Sequence, residues 1–340
     1  ADLIVAEMER GGGILDHDDL AGMEAAWREP VEATYRDHTI ISMPPTSSGG
    51  ATLAAMAKIL EGYELGLLEY HSAEHVHLLA EAWKRAYADR NTYLADPDFV
   101  EIPLGRMISE AYGAERRNSI LPKRATPSLE VGPGLGLADE GETTHLSVVD
   151  VQGNAVSITT TINSFFGSKV AVSGAGFFLN NEMDDFSGRP GFPNQYGLVQ
   201  GEANAIAPGK RMLSAMTPTI VETPGGDLLF VVGTPGGATI ITNVFQQISN
   251  VVDFGMDVRQ ALNSPRLHHQ HLPDRIQYEP GSLPEIVVAE LEAMGHQMEE
   301  RIRAGDVYPY IGDVQAIMRL PDGTFAGASD HRRGGAAVGY

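Results

Sequence analysis

The alternation of apolar and polar positions changes character once along the chain. From Ala1 to about Arg124 the spacing is mainly helical; from Thr143 onward it is the two-residue alternation of strands broken by tight turns. The chain opens inside an amphipathic helical pattern. Asp16 reads as an N-cap, with Asp18 and Asp19 in the first turn, where acids suit the backbone dipole. Tyr35 to Met43 is strand-like, and the small-residue turn Pro44-Pro45-Thr46-Ser47-Ser48-Gly49-Gly50 leads into a helix from Ala51 to about Leu60. A longer helix is predicted from about Ser72 to Tyr93, closed by Asp96-Pro97-Asp98. Residues 127–142 are rich in glycine, proline and acid, lack periodicity, and read as an exposed, flexible linker. Strands are expected at 144–150, 155–162, 170–179, 218–222 and 228–233, helices at about 237–253 and 283–295, and a strand near 313–319. Short strands, an internal linker and flanking helices point to an α+β fold of stacked sheets covered by helices.

Composition narrows the function more than the fold. The 340 residues suffice for one large core or two modest ones. A net charge of −21 counts against nucleic acid as a partner, because phosphate binding needs basic patches. No apolar run is long enough to span a bilayer. The absence of cysteine removes disulfides, a thiolate nucleophile and cysteine metal sites, and leaves the compartment open. Ala1 follows no initiator methionine and no signal-peptide pattern, so further sequence is expected upstream.

Thr143 opens the first clean strand pattern, in Glu142-Thr143-Thr144-His145-Leu146-Ser147-Val148-Val149-Asp150. The segment reads either as an ordinary hydroxyl-rich strand or as a nucleophile. If the bond before Thr143 is cut, the new terminus carries both a hydroxyl and an α-amine that takes its proton. That amine has a pKa of roughly 7.7–8.0 and is partly unprotonated near neutrality. The strands around Gln152-Gly153 predict a hairpin, and its loop length decides which face Thr143 occupies. A two-residue turn sets Thr143 opposite Ile162. A three-residue loop, with Gly153 or Asn154 in the left-handed region, puts Thr143 on the face of Thr161 and Asn163.

Two other groups carry chemistry. Asn180-Asn181-Glu182-Met183-Asp184-Asp185-Phe186 sets paired carboxylates after an apolar stretch, suited to a substrate ammonium. It also reads as a solvated acidic loop or a calcium loop, though it lacks the glycine and distal glutamate of an EF-hand. At 228–233, followed by Thr234-Pro235-Gly236-Gly237-Ala238, a strand, a glycine turn and a helix start coincide and aim free N–H groups at one point. Such donors stabilise an oxyanion, and losing one costs about 100- to 1000-fold in turnover. The same residues also serve as a plain tight turn; a phosphate loop needs a Lys-Ser/Thr step that is absent. His71, His75 and His77, and likewise His268, His269 and His271, show no His-Glu-x-x-His arrangement and are read as structural. No metal and no cofactor is expected.

Together these segments resemble the gamma-glutamyltranspeptidase (glutathione hydrolase) family of the N-terminal-nucleophile hydrolase superfamily. The resemblance rests on Thr143-Thr144-His145, Gly153-Asn154-Ala155-Val156, Thr161-Ile162-Asn163, Leu179 to Ser187, and Pro235-Gly236-Gly237. Met43 to Gly50, Tyr87-Ala88-Asp89-Arg90, Asp96 to Val100, Pro265 to Gln270 and Gly327-Ala328-Ser329-Asp330 add to it, so it covers essentially the whole chain. It implies a precursor that cuts itself between Glu142 and Thr143. Residues 1–142 are then the rear of a large subunit, and 143–340 a small subunit with Thr143 at its N-terminus. Both would share one αββα four-layer sandwich, here lacking the N-terminal part of the large subunit. By the same resemblance Thr143 attacks a γ-glutamyl carbonyl, Thr161 assists it, and Asn163 binds substrate. Glu182 and Asp185 hold the donor α-amino group, Ser214 its α-carboxylate, Gly236 and Gly237 form the oxyanion hole, and Tyr196 is a lid. Donors would be γ-glutamyl compounds such as glutathione; acceptors would be water, amino acids or dipeptides; the location would be periplasmic or secreted.

Two departures stand out. The family's two adjacent serines at the carboxylate site read Ser214-Ala215 here, which removes a hydrogen bond worth about 1.5–3 kcal/mol. The family's carboxylate-gripping arginine falls upstream of Ala1. The first alternative is an acylase of the same architecture, acting on cephalosporin or glutaryl substrates, or a poly-γ-glutamate hydrolase. Glu182 and Asp185 argue for an α-amino acid donor, since a glutaryl chain lacks the ammonium. The second alternative is a non-catalytic remnant with a binding or structural role.

Overall fold

The computed structural model describes residues 1–132, 143–302 and 309–339. In chain order the strands are β1 (Val31–Tyr35), β2 (His38–Ser42), β3 (Thr143–Val149), β4 (Ala155–Thr161), β5 (Thr219–Glu222) and β6 (Leu228–Gly233). They continue with β7 (Leu267–His268), β8 (Ile276–Tyr278), β9 (Met298–Glu300), β10 (Gln315–Arg319) and β11 (Phe325–Ser329). Six of them form one antiparallel sheet in the order β1-β2-β5-β6-β10-β11. The single strand expected from Tyr35 to Met43 is instead the second arm of a hairpin. Arg36 and Asp37 turn it at φ 51° and 63°, the left-handed geometry that matches strand twist in a tight hairpin.

One face of this sheet carries the helices Gly49–Leu60 and Thr239–Val252, and the helix Ala73–Tyr93 packs on Gly49–Leu60. Tyr35, Ile40, Leu53, Met56, Trp83, Tyr87, Val221, Phe230, Val232, Phe245 and Ile248 form the core between them. The Ala73–Tyr93 helix is buried almost all round, including its charged residues, so those charges need partners. Glu81 pairs with Lys84 at 3.0 Å and Arg85 at 2.6 Å. Burial alone would raise the Glu81 carboxyl, yet these two cations hold it at about 2. Ser72 caps the helix by accepting from the His75 N–H, and Asp16 forms a capping box with Asp19 on the helix His17–Gly22.

The opposite face of the large sheet is covered by the β3–β4 hairpin, giving helix, sheet and sheet as stacked layers. Inward positions of the hairpin are polar: His145 packs on Gly233, and Ser157 Oγ donates to the Val232 carbonyl at 3.3 Å. Its outward positions Leu146, Val148, Val156 and Ile158 are exposed, at 45–55%. That open apolar face is where a second helical layer lies in a four-layer sandwich. A three-stranded sheet, β7-β8-β9, was not legible from two- and three-residue strands.

Two expectations need correction. Residues 170–179 are not a strand: only Ala171 and Phe178 bridge, around a turn holding Gly174 and Gly176 at φ 82° and 79°. Among the described residues the apolar run there has no neighbouring strand to pair with. The 127–142 linker begins as a short helix, Ser128–Val131, anchored by the Ser128 N–H donating to Asp274 Oδ2 at 2.8 Å. The rest of that stretch, including Glu142, lies outside the described residues.

Candidate active site

Thr143 is the first residue of β3 and pairs with Thr161, the last of β4. The register follows from an odd loop: Asp150 N–H donates to the Asn154 carbonyl, Gly153 sits at φ 87°, and the count from Val149 to Ala155 keeps Thr143 and Thr161 on one face. Thr143 Oγ1 lies 3.3 Å from Thr161 Oγ1. Thr161 Oγ1 in turn accepts the Asn163 N–H at 2.8 Å. Asn163 leaves the strand at φ 73°, a conformation asparagine tolerates well. The bend returns its side chain inward, where Nδ2 donates to the Asn181 carbonyl at 3.1 Å and Oδ1 accepts from the Tyr196 hydroxyl. Tyr196 is 3% exposed and forms a wall of the cavity. Burial, then the charges of Asp185 and Glu182, keep its phenol protonated, so it stays a donor.

The acids at 182 and 185 are buried rather than solvated, contrary to the loop readings. Glu182 and Asp185 begin and end one 3₁₀ turn and are 8% and 9% exposed. Burial, and then the neighbouring Glu182, push the Asp185 carboxyl well above its usual range. Burial also raises Glu182, whose Oε1 has no hydrogen-bond partner. Among the described residues neither carboxylate has a basic group at ion-pair distance. Asp185 lines the cavity with Thr143, Thr161 and Asn163; Glu182 is not among the lining residues.

Thr234-Pro235-Gly236-Gly237-Ala238 connects β6 to the Thr239–Val252 helix, with Gly236 at φ 137° and Gly237 at φ 53°. A side chain at Gly236 would meet Thr239 Oγ1 at 2.5 Å, so both conformation and space require glycine. Neither glycine N–H donates to a described residue. Gly237 lines the cavity directly; Gly236 is set one residue back. Ser214 and Ala215 also line the cavity. Ser214 bridges to Ser47, and its carbonyl accepts from Ser48 N at 2.8 Å and Ser48 Oγ at 2.6 Å.

Sequence reasoning did not assign Arg90, Ser48, Leu213 or Met216, although Arg90, Leu213 and Met216 line the cavity and Ser48 supports it. The Tyr87-to-Arg90 and Met43-to-Gly50 motifs carry two of these within the family resemblance, without a role. The six histidines read as structural are buried. His71 stacks on Tyr70, His77 bonds His296, and His268 bonds Thr242 Oγ1 at 2.7 Å. Among the described residues no helix is long and apolar enough to cross a membrane.

The chain is similar to known proteins along its whole length. The family model for gamma-glutamyltranspeptidase matches residues 1–340. A glutathione hydrolase proenzyme of Pseudomonas sp. (strain A14) is 44% identical over 343 residues, covering 100% of this chain and 60% of the relative. The chain therefore spans somewhat over half the length of that relative. A solved cephalosporin acylase from Bacillus halodurans superposes with a TM-score of 0.81 at 27% identity, covering 97% of this chain and 56% of that one. A chain of an acivicin-inhibited gamma-glutamyltranspeptidase gives a TM-score of 0.52 at 50% identity, covering 56% of this chain and 98% of that one. The acylase shares the architecture at lower identity, while the family match runs from end to end, and on that basis the chain belongs to the gamma-glutamyltranspeptidase family.

Proposed function

We propose that this chain carries the nucleophile and donor pocket of a gamma-glutamyltransferase and glutathione hydrolase, cut between Glu142 and Thr143. The observation that carries this reading is the acid pair beside Thr143. Two buried carboxylates without a cation are costly unless they share a proton or receive a ligand cation. A donor α-ammonium placed between Asp185 and Glu182 supplies that cation and sets the γ-carbonyl towards Thr143. The freed α-amine of Thr143 then takes the hydroxyl proton as Oγ1 attacks, with Thr161 Oγ1 holding the nucleophile. The open N–H groups of Gly236 and Gly237 receive the negative oxygen. The leaving amine departs with a proton, and an acyl-enzyme remains on Oγ1. Water releases glutamate from it; an amino acid or dipeptide amine takes the γ-glutamyl group instead.

Subunit association after cleavage is supported by the sheet itself. β2, before the cut, pairs with β5, after it, and the helix Gly49–Leu60 packs on Thr239–Val252 across the same divide. Residues 1–142 and 143–340 would stay joined through one core. A periplasmic or secreted location is part of the proposal, on the family resemblance.

The acylase reading differs in donor. Assay of γ-glutamyl-p-nitroanilide beside glutaryl-7-aminocephalosporanic acid separates the two. Turnover of the γ-glutamyl compound is expected; turnover of the glutaryl compound alone would sink the proposal.

A further inference from the structure

The glycine turn Thr234-Pro235-Gly236-Gly237-Ala238 is bracketed by two hydroxyls that the proposed chemistry leaves without a part. Thr234 is fully buried, and its Oγ1 donates to the Pro235 carbonyl at 2.8 Å. Thr239, the first residue of the helix Thr239–Val252, donates from Oγ1 to the Gly236 carbonyl at 2.8 Å. Its backbone N–H reaches the same oxygen at 3.0 Å. A trans peptide group is planar, so a carbonyl oxygen and the N–H of the next residue form one rigid unit and point in opposite directions. The Pro235 carbonyl shares its unit with the Gly236 N–H, and the Gly236 carbonyl shares its unit with the Gly237 N–H. Each N–H of the candidate oxyanion hole thus has a threonine hydroxyl at the far end of its own peptide.

The surroundings fix the direction of the Thr234 bond. Thr234 Oγ1 accepts the Asp313 N–H at 2.9 Å and Asn243 Nδ2 at 3.4 Å, which fills both lone pairs and commits its single proton to Pro235. Asn243 Nδ2 also reaches the Ile311 carbonyl at 3.2 Å, so residues 311–313 are held against the turn. That approach needs a glycine. A Cβ on Gly312, at φ 69°, would lie 2.2 Å from Asn243 Nδ2 and 2.5 Å from Thr234 Oγ1. A hydrogen bond to a carbonyl oxygen in a water-poor interior polarises the peptide, and the N–H at its other end becomes a stronger donor. Orientation works in the same sense, because a peptide fixed at its oxygen keeps its N–H aimed as charge develops.

We infer that Thr234 and Thr239 are positioning residues for acyl transfer: Thr234 fixes and polarises the peptide that carries the Gly236 N–H, and Thr239 the one that carries the Gly237 N–H. The inference rests on the oxyanion role proposed above for the two glycines. Neither threonine is among the residues lining the cavity. Both act through backbone N–H groups whose contribution is made in the transition state.

Valine at each position keeps the shape and removes the hydroxyl; serine keeps the hydroxyl. On the processed protein with γ-glutamyl-p-nitroanilide, Thr239→Val and Thr234→Val should each lower kcat about three- to tenfold with KM unchanged. Thr239→Ser and Thr234→Ser should stay within about twofold of wild type, since the hydrogen bond is retained. Wild-type kcat in both valine variants, a loss carried by KM, or serine variants as slow as the valine ones overturns the roles. Thr234→Val also strands the Asp313 N–H in the interior, so Thr239→Val carries the kinetic test where the former does not fold. If Thr239→Val folds without processing, amide spectra of isotope-labelled glycine carry it instead. The Gly237 amide proton should move upfield while that of Gly236 stays, and an unmoved Gly237 proton overturns the role. Wild-type turnover of glutaryl-7-aminocephalosporanic acid alone overturns the donor reading and not the threonine roles, and the same variants are then compared on that substrate. Wild-type protein inactive on both substrates overturns the oxyanion reading, and the threonine roles with it.

Discussion

At the scale of single residues, the site depends on which side of a strand each hydroxyl faces. Thr143 opposes Thr161 because the hairpin loop is odd, so lengthening it by one residue would turn Thr143 away from its partner. That alternative was legible in the sequence as a question of parity, and the backbone answers it with Gly153 at positive φ. Arg90 was not legible in the same way. Its neighbours in the helix are as polar as any surface helix, and only the packing on all sides shows that it is inside. Tyr196→Phe removes the donor to Asn163 Oδ1 while leaving the ring in the wall. About 0.5–1.5 kcal/mol of substrate binding should be lost, seen as a KM rise of about two- to tenfold with kcat little altered. A KM equal to wild type would show that this hydrogen bond does not hold Asn163 for substrate.

Among elements, the Pro44-to-Gly50 turn matters more to the site than its distance in sequence from Thr143 suggests. A Cβ on Gly49 would lie 2.2 Å from the Met216 carbonyl oxygen and 2.5 Å from Thr217 Oγ1. Gly49→Ala must therefore push the 214–217 wall outward. Such overpacking costs about 1–3 kcal/mol of stability, and kcat/KM should drop even at temperatures where the variant is folded. Thermal melting alongside kinetics checks both; normal activity would mean the wall tolerates the shift. The last strand is tied down separately. Asp330 Oδ2 accepts from Arg266 Nη2 at 2.5 Å and Val314 N at 2.9 Å, and Oδ1 accepts from Arg332. Asp330→Ala leaves two buried guanidinium groups short of an anion and should destabilise the protein by about 3–5 kcal/mol, read by denaturant unfolding. The long helices and the strands at 228–233 and near 315 were legible because their periodicity is strong. The 170–179 stretch was not, since its apolar residues lack a partner strand and burial cannot be read from local pattern.

For the whole molecule, the buried histidines set the acid limit. Burial lowers His71, His268 and His296 to about 3, and His75, His145 and His271 to about 4. Each stays neutral when folded at pH 5, whereas in the unfolded chain each gains a proton as pH falls through about 6.5. The unfolded state then binds more protons, so stability falls by up to about 1.4 kcal/mol per pH unit for each such group. Asp89, raised by burial to about 6, and the Glu182–Asp185 pair act in the opposite direction but are fewer. The melting temperature should therefore drop from pH 7 to pH 5; a constant or rising value would contradict the burial of these rings. The same whole-molecule scale holds the central claim, that one chain is cut at Thr143 and acylated there. Rapid-quench intact-mass spectrometry with γ-glutamyl-p-nitroanilide tests it most directly. Two fragments separated between Glu142 and Thr143 are predicted, with one γ-glutamyl group on Thr143 of the second and neither cleavage nor adduct in Thr143→Ala. A chain that stays intact in the wild type, or an adduct that persists without the Thr143 hydroxyl, would contradict the account.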